Sequence, residues 1–91
     1  MNKIKLKKEF KYNFQELRKI INSLNLIPNS PLDEFDSLNH QILSHLYKDS
    51  DFKQITTFLH NELNDYYGLS VNLKDIEIIT IEIINWWNSK S

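Results

Sequence analysis

At 91 residues the chain has room for one small hydrophobic core, and 41% hydrophobic with 25% charged residues marks a folded domain. The absence of cysteine excludes a disulfide scaffold, a thiol nucleophile and cysteine-ligated zinc or iron–sulfur sites, and a single glycine excludes glycine-rich phosphate loops. The formal charge of −1 conceals an asymmetry: residues 1–20 hold seven basic groups and two acids, a net of +5, whereas residues 21–91 hold four and ten, a net of −6.

In chain order, Lys3-Ile4-Lys5-Leu6-Lys7 alternates and reads as a short extended arm. Phe10, Phe14, Leu17, Ile21 and Leu24 then step 4-3-4-3, which predicts an amphipathic helix over 8–24. Asn25 to Pro31 has loop composition. Ser30 is the expected cap of a second helix, with Pro31 at its first position and Asp33 meeting free amides. Leu32, Phe35, Leu38, Ile42, Leu43 and Leu46 carry that stripe to about Tyr47. Asp51-Phe52-Lys53-Gln54 has the spacing of a capping box, and Phe52, Ile55, Leu59, Leu63 and Tyr66 predict a third helix ending at Gly68. The fourth segment, capped by Asn72, contains two Ile-Glu-Ile runs that also suit a strand. Helical spacing places Ile76, Ile79, Ile83, Trp86 and Trp87 on one arc, and the cap decides for a helix over 73–87. The expected fold is therefore all-α: a small four-helix up-down bundle with a short N-terminal arm, forming one helical domain over residues 1–91.

Candidate functional groups are few. Met1–Lys8 is basic like the start of a signal peptide, but Glu9, Lys11 and Asn13 occupy the place of its apolar core. Residues 76–87 are too short and too charged to span a bilayer, so the cytosol is the expected location. His40, His45 and His60 lack metal-ligand spacing, and no metal or cofactor is expected. His40 lies one turn after Asp36, in reach of a local hydrogen bond. Asp36 and Asn39 fall on the apolar arc of the second helix, either to bridge a neighbouring chain segment or as a buried acid poised for catalysis. Ile78 and Ile81 fall on the polar side of the fourth helix, as a contact patch or as the seat of the N-terminal arm. In an up-down bundle, Asp33, Glu34 and Asp36 share one pole with Asp65, Asp75 and Glu77. Acids at helix N-termini offset the helix dipole; Asp65, near a C-terminus, does not.

Ile27-Pro28, Ser30-Pro31-Leu32-Asp33-Glu34-Phe35-Asp36 and Tyr66-Tyr67-Gly68 together resemble an uncharacterised family of small helical bacterial proteins, over roughly residues 17–87. Where that family carries a tryptophan before the turn, this chain has Leu24-Asn25-Leu26. In size and type the chain also resembles the immunity proteins of contact-dependent growth inhibition systems, a likeness of class that assigns no residue. It implies a non-enzymatic module that neutralises a toxin domain by tight binding. Many such toxins are basic nucleases, so an acidic surface is the physical complement. Asp33, Glu34, Asp65, Asp75, Glu77, Ile78 and Ile81 are accordingly the expected partner-binding residues. The alternative is a regulatory or nucleic-acid-associated helical protein using the lysine-rich N-terminus. An enzyme stands third, since no nucleophile–base pair or phosphate loop is in view.

Overall fold

Helical periodicity governs the chain throughout. The computed structural model describes residues 3–90, with side chains from Lys8 onward. It contains four α-helices: α1 (Lys3–Ser23), α2 (Asp36–Tyr47), α3 (Phe52–Asn61) and α4 (Leu73–Asn88). A π-helical turn, Glu62–Tyr66, prolongs α3. No strand occurs among the described residues, so the all-α, four-helix expectation holds. The chain divides into two compact units, Met1–Ser44 and His45–Ser91, with the boundary inside α2.

In the first unit, α1 begins five residues before the expected start, and the segment read as an extended arm is its first turn. Alternation of Ile4 and Leu6 favours a strand only where another strand is present to pair with it. Without one, the helix propensity of lysine and leucine decides. Leu17 and Ile21 of α1 are buried, as are Phe35, Leu38, Ile42 and Leu43 around and within α2. Asn25 ends the helix in the left-handed region (φ 51°), a conformation asparagine tolerates better than most residues.

The second helix starts later than its sequence signals suggest. Asp36, not Pro31, is its first residue. Residues 32–35 form consecutive tight turns instead, in which the Glu34 amide donates to the Pro31 carbonyl and the Asp36 amide to the Asp33 carbonyl, both at 3.1 Å. The cause lies at Leu32. In a helix running on from Pro31, its carbonyl would accept from the Asp36 amide. Here that carbonyl accepts from Arg18 Nε (3.1 Å) and Asn22 Nδ2 (3.0 Å). Side chains of α1 have taken the acceptor, and α-helical bonding begins one turn on, with the Asn39 amide donating to Phe35 at 2.8 Å.

In the second unit, α2 closes with a Schellman arrangement. The Ser50 amide donates to His45 (2.9 Å) and the Asp49 amide to Leu46 (3.1 Å), with Asp49 at φ 57°. His45 reinforces this corner: Nδ1 is 3.0 Å from Ser50 Oγ, and its ring lies 4.8 Å from that of Phe58. The expected capping box opens α3, with the Gln54 amide donating to Asp51 Oδ1 and the Asp51 amide to Gln54 Oε1, each at 2.8 Å. Gly68 terminates the helical run in the left-handed region (φ 69°), where a side chain is strained. Asn64 then clasps Val71 through both backbone groups: Nδ2 donates to its carbonyl (3.0 Å) and Oδ1 accepts from its amide (2.7 Å). That clasp fixes the short connection to α4, which Asn72 caps by accepting from the Asp75 amide.

Packing between α3 and α4 buries Ile55, Leu59, Leu63, Ile76, Ile79 and Ile83. At its centre Thr56 Oγ1 donates to Thr80 Oγ1, which donates to the Ile76 carbonyl, both at 3.0 Å. Residue 64 meets 71 while residue 56 meets 80, so the two helices run antiparallel. The expected arc of Ile76, Ile79 and Ile83 is confirmed, with Thr80 added to it. Trp86 and Trp87 sit at its margin, half-buried, Trp87 meeting the Tyr47 ring edge-on at 5.1 Å. Ile83→Ala is expected to cost about 2–4 kcal/mol through the cavity it leaves, and Ile78→Ala under about 1. Urea denaturation of the two variants measures the difference; equal losses contradict the assigned faces.

Candidate functional site

Several polar side-chain contacts of the first unit converge on Arg18. Its Nη2 donates to Asp36 Oδ2 at 3.2 Å, and its Nε stands 3.0 Å from Asp36 Oδ1 while donating to the Leu32 carbonyl. Oδ1 thus sits beside positive charge without a hydrogen bond of its own. Asp36 is about a third exposed and engaged by the chain's one arginine. This corrects the expected burial of Asp36, and the contact joins the start of α2 to Arg18 of α1. It also leaves His40 without the expected aspartate, and His40 instead meets the edge of Phe10 at 5.3 Å.

Asn39 differs. It is fully buried, and neither Nδ2 nor Oδ1 has a hydrogen-bond partner among the described residues. Nearby in sequence, the 25–35 segment lines a shallow cavity of about 90 Å³ with Ile21, Asn22, Leu26, Ile27, Pro31 and Phe35. Asn39 is not among its lining residues.

The expected partner-binding residues divide between the two units. Asp33 and Glu34 lie exposed in the turns before α2. They are therefore not at a helix N-terminus, and compensation of the α2 dipole falls to Asp36. In the second unit, Asp65 lies exposed in the π-helical turn, Asp75 is exposed in the first turn of α4, and Glu77 is half-buried just beyond. The antiparallel connection and the Asn64 clasp hold these three acids at one end of the α3–α4 hairpin. Ile78 and Ile81, 48% and 47% exposed, project from the side of α4 opposite Ile76 and Ile83. Leu73, 54% exposed, stands at the start of α4 away from Ile78 and is a further exposed apolar side chain. Its position one residue after the Asn72 cap hid it, since leucine at a helix start reads as part of the core stripe.

Among the described residues, no group of three histidines or carboxylates is arranged to hold a metal ion, and no helix is long and apolar enough to cross a membrane. No family model, curated protein or solved structure matches the chain.

Because Arg18 and Asp36 are both partly exposed, their ion pair is worth at most about 1 kcal/mol. Asp36→Asn, which retains an acceptor, is expected to cost less than Arg18→Met, which also strips a donor from Leu32. A double-mutant cycle by denaturation measures the coupling; a value well above about 1 kcal/mol contradicts a solvent-screened pair. Asn39→Leu, similar in shape, is expected to raise stability by about 1–2 kcal/mol, because it removes two unsatisfied polar atoms from the core. Thermal unfolding measures this. A destabilised variant indicates that the amide is satisfied in solution, by water for example.

Proposed function

We propose that this chain is a non-enzymatic protein-binding module, an immunity protein that neutralises a basic toxin domain by occupying it. The observation that carries this reading is the placement of Asp65, Asp75 and Glu77 at one end of the α3–α4 hairpin, beside exposed Ile78 and Ile81. Asp65 supports it most. A carboxylate in the last turn of a helix faces the negative end of the helix dipole, which costs about 0.3–1 kcal/mol. A charge kept at a position unfavourable for folding suits a binding role. Acids bordering an apolar patch are the arrangement that steers a basic protein to its site and then excludes water there. Asp33 and Glu34 add exposed negative charge in the first unit. The cytosol, where a toxin entering the cell would meet its inhibitor, is the location this role requires.

Asp36, weighed above as an acid for catalysis, is engaged by Arg18, in keeping with a structural role. The alternative, a nucleic-acid-associated module, rests on the lysines of residues 3–19 and is opposed by the net charge of −6 over residues 21–91.

The test is co-expression with a toxin domain encoded beside this gene. The chain is expected to restore growth, and the purified pair to associate at a rate that falls steeply with salt. Reversing Asp65 and Glu77 to Lys is expected to slow association about tenfold or more. Asp65→Lys itself should leave the fold intact or slightly more stable, because a cation suits a helix C-terminus. Glu9→Lys, on basic α1, is the control and should change little. Failure to protect, or association indifferent to salt and to both reversals, removes the acidic end of the hairpin as the binding surface.

A further inference from the structure

The chain's two tryptophans stand side by side in the last turn of α4, placed by aromatic contacts within the second unit. Tyr47 meets Trp87 edge-on at 5.1 Å, and Trp86 lies tilted against Trp87 at 5.9 Å. Trp86 is half-buried, and the Lys90 ammonium rests over its ring, 4.8 Å from the centroid. One turn before Trp86 on the same stripe lies Glu82, exposed and without an ion pair among the described residues. No basic residue occupies the last turn of α4, so the negative end of its dipole is left to groups beyond the helix. The corner that carries Tyr47 holds Lys48, Asp49, Asp51 and Lys53, two charges of each sign, and adds no net charge.

We propose that the outer face of Trp86 is a binding site for an organic cation, an alkylammonium or guanidinium group, and that Lys90 occupies it in the free chain. Three features draw positive charge to one place: the negative face of the indole, the Glu82 carboxylate one turn away and the C-terminal end of the α4 dipole. Among aromatic rings, indole holds a cation best. The seated Lys90 ammonium is direct evidence that this ring face is open to one. Lys90 answers the ring and leaves the acid unanswered. It lies eight residues from Glu82, about 12 Å along the helix axis, and forms no ion pair with it. A cation arriving from solution is free to lie between ring and carboxylate and meet both. A cation–π contact at an exposed site is weak, so rotation of the flexible lysine side chain clears the ring. Trp87 and Tyr47 meanwhile hold the ring in place, which lowers the cost of ordering it around a ligand. The site lies at the opposite end of the α3–α4 hairpin from Asp65 and Asp75 and does not depend on the function proposed above.

Titration of the full chain with choline at constant ionic strength, followed through the indole N–H resonances by NMR, tests this. The control is 3,3-dimethylbutan-1-ol, which has the shape of choline without its charge. Choline is expected to shift the Trp86 resonance saturably, with a dissociation constant of about 1–30 mM, and the alcohol to leave it in place. N-acetylarginine amide is titrated in parallel: binding at least as tight as that of choline marks a protein side chain as the ligand, and weaker binding marks a free ammonium compound. Lys90→Gln should tighten choline binding about two- to fivefold, because the resident ammonium is gone. Glu82→Gln should weaken it about two- to threefold. Trp86→Leu should abolish it. Lys90 and Glu82 are exposed, so their variants keep the test decisive even where Trp86→Leu disturbs the fold. An equal response to the alcohol overturns the proposal. So does the lack of a saturable shift up to about 100 mM choline in both the parent and Lys90→Gln, or weaker binding by Lys90→Gln.

Discussion

Arg18 is the chain's one arginine, and the backbone between α1 and α2 depends on where its guanidinium points. A guanidinium presents several donors in a rigid fork, which a lysine ammonium cannot imitate. From α1 it reaches the Leu32 carbonyl and the Asp36 carboxylate together, while Asn22 donates to the same carbonyl. A carbonyl so occupied is lost to the helix ladder. The start of α2 therefore moves to Asp36, and Asp33 and Glu34 are left in the turns before it.

Polar side chains have a comparable role in the second unit. Asn64 pairs with both backbone groups of Val71, which brings the entry of α4 against the exit of α3. Immediately before it, the Tyr67 amide donates to the Glu62 carbonyl at 3.0 Å, the longer reach of a π-turn. The Leu69 amide closes the end on Leu63 at 2.9 Å. Deeper in, Thr56 and Thr80 satisfy each other within an aliphatic core, so their hydroxyls are buried without the usual penalty. Asn39 stands in contrast as a buried amide with no such partner among the described residues. A core polar group left unsatisfied reduces stability, in keeping with the small core available to 91 residues.

Charge asymmetry links these local events to surface chemistry. The basic residues are concentrated in α1, and acids predominate in the rest of the chain. On α1 the exposed lysines lie on the side away from its buried stripe; on α4 the glutamates border exposed isoleucines. Separated charge of this kind has little influence on the fold and a large one on encounter with other molecules.

Apolar spacing and turn chemistry made the four helices legible. The 4-3-4-3 seam of α1, the Asp51–Gln54 box, the Gly68 terminus and the Asn72 cap are local signals read from nearest neighbours, and each appears where expected. The exposure of Ile78 and Ile81 was legible for the same reason, because helical spacing alone opposes them to Ile76 and Ile83. Tertiary structure decided whatever depended on a distant acceptor. The late start of α2 follows from Arg18 and Asn22 reaching Leu32, and the position of Thr80 from Thr56 of another helix. The form of the α3–α4 connection follows from Asn64 meeting Val71. A short-range pattern states which groups a residue can satisfy; only the packed chain determines which partners come within 3 Å of it.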